Sequence, residues 1–182
     1  MGGGCVFAAG GSSESKMRVD NGEHPFSHLG QLLCLALFLV LWVVDSFVLH
    51  LSTSLSNFVP LYVRLVFLGL SLAGAVYLVR SAHGVVRPDE RPAGVVTTGA
   101  FKYVRHPIYL GSLLTYLGLA ISTGSLLSLA LLAGIFLFHN SIASYEEEVL
   151  LARFGEEYGR YKKRTGKWVP RIGGRAEETD AV

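Results

Sequence analysis

Arg105-His106-Pro107-Ile108-Tyr109 sets a fixed cation, a titratable imidazole and a phenol at the mouth of an apolar segment. Pro107 suits the first turn of a helix, where a missing N–H costs nothing. A helix start offers free N–H groups and positive potential. With Arg105 and His106 beside it, that spot favours a carboxylate or phosphate. The competing reading is that Arg105 and His106 snorkel to lipid headgroups. A second polar group, Tyr145-Glu146-Glu147-Glu148, follows the last apolar segment. Glu146 and Glu147 could hold ribose hydroxyls or an ammonium, or balance a sulfonium. Equally, they could stabilise the positive start of a following helix. The two groups bracket one apolar hairpin, so they can meet on one side of a membrane.

Four apolar blocks make up the elements that would position these residues: 29–51, 58–78, 107–121 and 126–142. About 20 residues cross ~30 Å of hydrocarbon, so the third block is short and implies tilt or an interfacial start. The chain is 51% hydrophobic and 16% charged, well below the charge of an ordinary soluble domain of its size. A net charge of +2 gives no footing for nucleic acid. Cys5 and Cys34 fall in different settings and form no zinc-like spacing with histidine, so neither a disulfide nor a metal site is expected. No phosphate-binding glycine motif is present. The Gly/Ser-rich residues 1–25 and the tail 171–182 read as disordered, flanking a membrane domain at 26–170.

The turns at 52–57 and 122–125 contain no Lys or Arg, whereas the 80–105 loop and the segment after Glu148 are rich in both. The positive-inside rule then puts that loop, both termini and both polar groups on the cytoplasmic side. Asp45 and Arg64 lie at similar depth toward the outer ends of the first two spans, where an acid and a base are expected to pair. From 145 to about 164 the spacing of Leu150, Phe154, Tyr158 and Tyr161 predicts one amphipathic helix. The fold class is therefore all-α: about four transmembrane helices plus a C-terminal amphipathic cytoplasmic helix.

Two motifs carry a family resemblance. One is Thr98-Gly99 through Arg105-His106-Pro107-Ile108-Tyr109-Leu110-Gly111. The other is Glu146-Glu147 with Leu150, Phe154-Gly155, Tyr158 and Tyr161, followed by Trp168-Val169-Pro170. In order and bracketing a hairpin, they resemble the integral-membrane methyltransferases that include isoprenylcysteine carboxyl methyltransferase and phospholipid N-methyltransferases.

The resemblance implies S-adenosylmethionine as cofactor, held in a cytosolic pocket, and a lipophilic acceptor entering from the bilayer. It implies cofactor contacts from Ala93, Gly94, Val95, Val96, Phe101, His106, Pro107, Ile108, Tyr109 and Glu146, with Gly99 allowing a tight turn. Arg105 and Glu147 are the catalytic candidates: Arg105 toward an acceptor carboxylate, Glu147, like His106, as base for an amine. No metal is implied. Isoprenylcysteine methyltransferases carry a substrate-binding arginine one turn before the first motif glutamate, and this chain has Ile142 there. The alternatives are an NADPH-binding membrane reductase of related fold and a small non-enzymatic helical membrane protein.

Overall fold

A computed structural model describes residues 27–85 and 94–171. Among these, α1 covers Ser27–Val43, α2 Leu61–His83, α3 Pro107–Thr123, α4 Leu126–Phe154 and α5 Glu156–Arg164. A wide helical turn, Val44–Leu49, extends α1, and short 3₁₀ turns occupy Thr53–Asn57 and Gly99–Lys102. The all-α expectation holds, and no strand element occurs among the described residues. Three helical stretches, Leu29–Leu49, Leu61–His83 and Leu126–Phe154, are long and apolar enough to span a bilayer, and Pro107–Thr123 is a shorter apolar helix. The expected tails, apart from Arg171, lie outside the described residues, as does Ala93.

Helices α2 and α3 form the tightest pair because small residues line their seam. A Cβ on Gly111 would meet Val79 at 2.9 Å, and one on Gly118 would meet Ser71 at the same distance. Ser71, Ala75 and Ala82 are buried on the facing side of α2. In lipid there is little hydrophobic drive between helices, so this close approach supplies the association. Helix α1 leans on α4 through Gly30, whose missing Cβ is replaced by the Phe138 ring. Phe38 packs on Tyr116 of α3. Trp42 Nε1 donates to Leu119 O at 3.0 Å and ties the outer ends of α1 and α3.

The expected Asp45–Arg64 ion pair is not formed. Asp45 is buried and accepts from Ser52 N at 3.0 Å and from the hydroxyls of Ser52 and Ser125 at 2.5 Å each. Arg64 instead donates to Val59 O and Ser122 O. Matched depth brought both residues to the outer turns, but backbone groups and hydroxyls there satisfy each charge separately. Asp45 thus clasps the two outer turns together. Asp45→Ala is expected to destabilise the chain by about 1.5–3 kcal/mol per charged hydrogen bond lost without replacement. Thermal unfolding in detergent should show Asp45→Ala additive with Arg64→Ala and non-additive with Ser125→Ala. Recovery of stability in the Asp45→Ala/Arg64→Ala double variant would restore the ion pair.

The C-terminal region also departs from expectation. No helix begins at Tyr145; α4 runs unbroken to Phe154, and the chain turns at Gly155 with φ 53° and ψ −125°. That backbone is available to glycine at little cost, so Gly155, not the Glu cluster, marks the boundary. Glu146 and Glu147 therefore sit late in α4, where helix-start stabilisation does not apply. The apolar stripe survives the break: Leu150 and Phe154 on α4 and Tyr158 and Tyr161 on α5 line one cavity.

Candidate active site

Pro107 opens α3 at its first turn, as its chemistry predicts, and His106 precedes it with non-helical backbone, φ −124° and ψ 64°. Gly99 has φ 60°, the left-handed conformation that a tight turn ahead of the motif requires. The segment between Gly94 and Arg105 is stitched to the C-terminal part. Val95 N donates to Glu157 Oε1 at 3.0 Å, Tyr161 OH donates to Phe101 O at 2.8 Å, and Arg105 N donates to Gly166 O at 3.0 Å.

The two polar groups of the sequence meet. Glu147, buried on α4, faces Arg105 Nε at 2.8 Å, Lys162 Nζ at 2.9 Å and His106 Nε2 at 3.3 Å. Arg105 also donates through Nη1 to Lys162 O and Thr165 O. Arg105 and His106 are both about 7% exposed at the side chain, so neither snorkels to headgroups. The anion expected at the start of α3 is supplied by the chain itself. A buried ion set of this kind holds only if every member is hydrogen-bonded, and here three donors meet one carboxylate.

Glu146 takes the neighbouring position. Tyr109 OH donates to Glu146 Oε1 at 2.5 Å, and His106 Nδ1 lies 3.6 Å from Glu146 Oε2. Burial pushes the His106 pKa below its ordinary value, against the pull of Glu147, which favours the neutral ring. Glu148 points away and is exposed, as two helical steps of about 100° from Glu146 require.

Beyond this cluster, a cavity of about 210 Å³ is lined by Gly94, Val95, Val96, Phe101, Arg105 and the stripe residues Leu150, Phe154, Tyr158 and Tyr161. A second, of about 460 Å³, adjoins it through Val95 and Tyr161 and is edged by the cations Lys102, Arg160 and Arg164. The sequence-derived residues thus fall into two groups. Gly94, Val95, Val96, Phe101 and Arg105 line the cavity; His106, Tyr109, Glu146 and Glu147 form the ionic cluster behind Arg105. Pro107 is buried at the helix start and Ile108 is partly exposed. Neither lines these cavities.

Sequence reasoning left out Lys162, His139 and the full part of Trp168. Lys162 stood in the basic segment after Glu148, which was used only to set the orientation. His139 is wholly buried and stacks on Tyr109, with ring centroids 5.2 Å apart. Trp168 donates to Asn140 Oδ1 at 3.1 Å and lies over His106. The Trp168-Val169-Pro170 motif was the available signal for the last of these. Ile142 is buried against Tyr109, Ala143 and Trp168, an apolar contact at the position where the resemblance would put an arginine.

A bundle of apolar helices with a buried acid–base cluster beside an aromatic-lined cavity fits an integral-membrane enzyme scaffold. Within that class the chain belongs to the phospholipid methyltransferase family, whose model matches residues 63–157 and so includes both polar groups. It is similar to methanethiol S-methyltransferase 1 of Bradyrhizobium diazoefficiens, 33% identical over 86 residues that make up 47% of this chain and 30% of that protein. It is also similar to protein-S-isoprenylcysteine O-methyltransferase of Schizosaccharomyces pombe, 33% identical over 50% of this chain and 39% of that protein. A cobalt-zinc-cadmium resistance protein of Cupriavidus metallidurans is 34% identical over 62% of this chain and 51% of its own length. The chain spans about a third to a half of the curated relatives it matches.

Proposed function

We propose that this chain transfers a methyl group from S-adenosylmethionine to a lipophilic acceptor that reaches the site from the bilayer. The observation that carries the reading is the joining, through Arg105, of the cavity pair to the Arg105–His106–Glu146–Glu147 cluster, whose four residues lie inside the segment that matches the family. Phe101, Phe154 and Tyr158 offer ring faces and apolar edges suited to a purine. Lys102, Arg160 and Arg164 suit an amino-acid carboxylate. Cavities of a few hundred Å³ are of the size that small-molecule sites use. When bound, S-adenosylmethionine supplies an electrophilic methyl group on a sulfonium.

The chain's own residues bind and orient. Glu146, tied to Tyr109, puts a carboxylate near the cavity that can balance a cation. Arg105 and Glu147 act as positioning residues: their bond fixes the start of α3 against α4 and α5. Locked by three donors, Glu147 is a poor proton acceptor. His106, its neutral form favoured by burial, faces Glu146 and is the better base for an acceptor that must lose a proton. The named relatives act on a thiol and on an isoprenylcysteine. With Ile142 buried in apolar contact, a carboxylate acceptor lacks its cationic partner here.

The Lys/Arg distribution supports a cytoplasmic cavity, loop and termini. A cysteine placed at the exposed Ser54 is expected to react with an impermeant thiol reagent only from the opposite side; reaction from the cytoplasm would reverse the topology. The activity is tested with S-adenosylmethionine labelled in its methyl group and membranes containing the chain. Label is expected in the organic-extractable fraction, or in the volatile fraction if the acceptor is a small thiol. Equal labelling by membranes lacking the chain would overturn the reading.

A further inference from the structure

A separate cavity of about 400 Å³ lies between α1 and α3, lined by Gln31, Leu32, Leu35, Ser112, Thr115 and Tyr116. It exists because α1 leans on α4 at Gly30 and Phe138, while α3 turns small side chains toward the gap. Leu32 and Leu35 are exposed, so the cavity's wall faces lipid. Ser112 and Thr115 lie about one and a half and about two turns into α3 from its start at Pro107, and Ser112 follows Tyr109 by less than one turn. At 1.5 Å per residue, Ser112 and Tyr116 sit about 4.5 and 10.5 Å further along the helix than Tyr109.

The hydrogen-bonding state of the lining selects the ligand. Ser112 Oγ donates to Tyr109 O at 2.9 Å, and Thr115 Oγ1 donates to Gly111 O at 3.0 Å. Both hydroxyls have spent their one proton on the helix, so toward the cavity they present lone pairs only. Tyr116 is 3% exposed, and no hydrogen bond to its hydroxyl occurs among the described residues. A phenol buried to that degree in the membrane is costly to leave unmet. No cationic side chain lines the cavity. A carboxylate could accept from Tyr116 and the Gln31 amide, but it would meet two sets of lone pairs with no counter-charge, whereas a hydroxyl or thiol can donate to Ser112 or Thr115 and accept from Tyr116.

We infer that the α1–α3 cavity is the berth of the methyl acceptor and that it takes an uncharged lipophilic molecule ending in a hydroxyl or thiol. This rests on the methyl-transfer reading above. It is consistent with Ile142, which removes the cation a carboxylate head would need. It also places the acceptor's polar end on α3, the helix whose Tyr109 holds Glu146.

The test uses the full chain in detergent without cofactor, and native mass spectrometry with 1-decanethiol, 1-decanol and decanoate as probes. One molecule of the thiol or the alcohol is expected per chain, with decanoate at least about tenfold weaker. Thr115→Leu, which narrows the cavity and removes one acceptor, is expected to weaken both neutral probes at least about tenfold. Tyr116→Phe removes one oxygen and is expected to weaken 1-decanol about tenfold; it keeps the test decisive should Thr115→Leu fold poorly by circular dichroism. Decanoate binding as tightly as 1-decanol would overturn the proposal, and so would neutral probes indifferent to Tyr116→Phe. S-adenosylmethionine binding is titrated in parallel. Loss of the probe effects with cofactor binding intact sinks the berth alone; probe binding in a chain that ignores the cofactor sinks the methyl-transfer reading and leaves a neutral-lipid site.

Discussion

Glu147→Ala is expected to cost about 3–5 kcal/mol, because it strands buried cationic partners. Arg105, about 7% exposed, would lose its only carboxylate contact of hydrogen-bond length among the described residues, and His106 would lose the acceptor for Nε2. Arg105 also holds the 162–165 backbone, so its displacement would loosen α5 and the Gly166 tie at the same time. Lys162 is different: at 43% exposure it can turn to water, and Lys162→Ala is expected to cost less than about 1 kcal/mol. Glu147→Gln keeps an acceptor for Arg105 and is expected to fall between the two. Thermal unfolding in detergent measures all three. A Glu147→Ala midpoint equal to that of Lys162→Ala would mean the cluster is solvated and holds nothing together.

His106→Ala and Glu146→Ala are each expected to weaken S-adenosylmethionine binding about ten- to a hundredfold, the range for losing a hydrogen bond to a charged group. Glu146 fixes Tyr109, and His106 sits between the two carboxylates and under Trp168. Glu148→Ala is expected to change affinity less than about threefold, since its side chain is exposed on another face of α4. Calorimetric titration separates these cases. Equal losses for Glu148→Ala and Glu146→Ala would mean that the carboxylates act as a bulk charge and not as a shaped site.

Much of this arrangement was legible in the sequence because membrane spans announce themselves by length and apolarity. The pairing of Arg105-His106 with Glu146-Glu147 followed from a hairpin that returns the chain to the side it left. The helix start at Pro107 and the tight turn at Gly99 followed from the chemistry of single residues. What failed shares one cause: polar side chains near a membrane have several ways to be satisfied. Asp45 found serine hydroxyls and a backbone N–H in place of Arg64, since the outer turns bring those donors closer. Helix α4 continued past Tyr145 because the glutamates there are partnered, so no break was needed until Gly155 supplied one. Lys162 was hidden for a different reason: in a basic run, nothing local tells the cation that pairs with Glu147 from its neighbours.

The central claim is that the cavity pair and the acid–base cluster form one cofactor site, and direct titration of the full chain with S-adenosylmethionine and, separately, with NADPH tests it most directly. A single site for S-adenosylmethionine that His106→Ala and Glu146→Ala both weaken, with no heat from NADPH, is the predicted result. Binding of NADPH in its place, or of neither ligand by a folded chain, would contradict it.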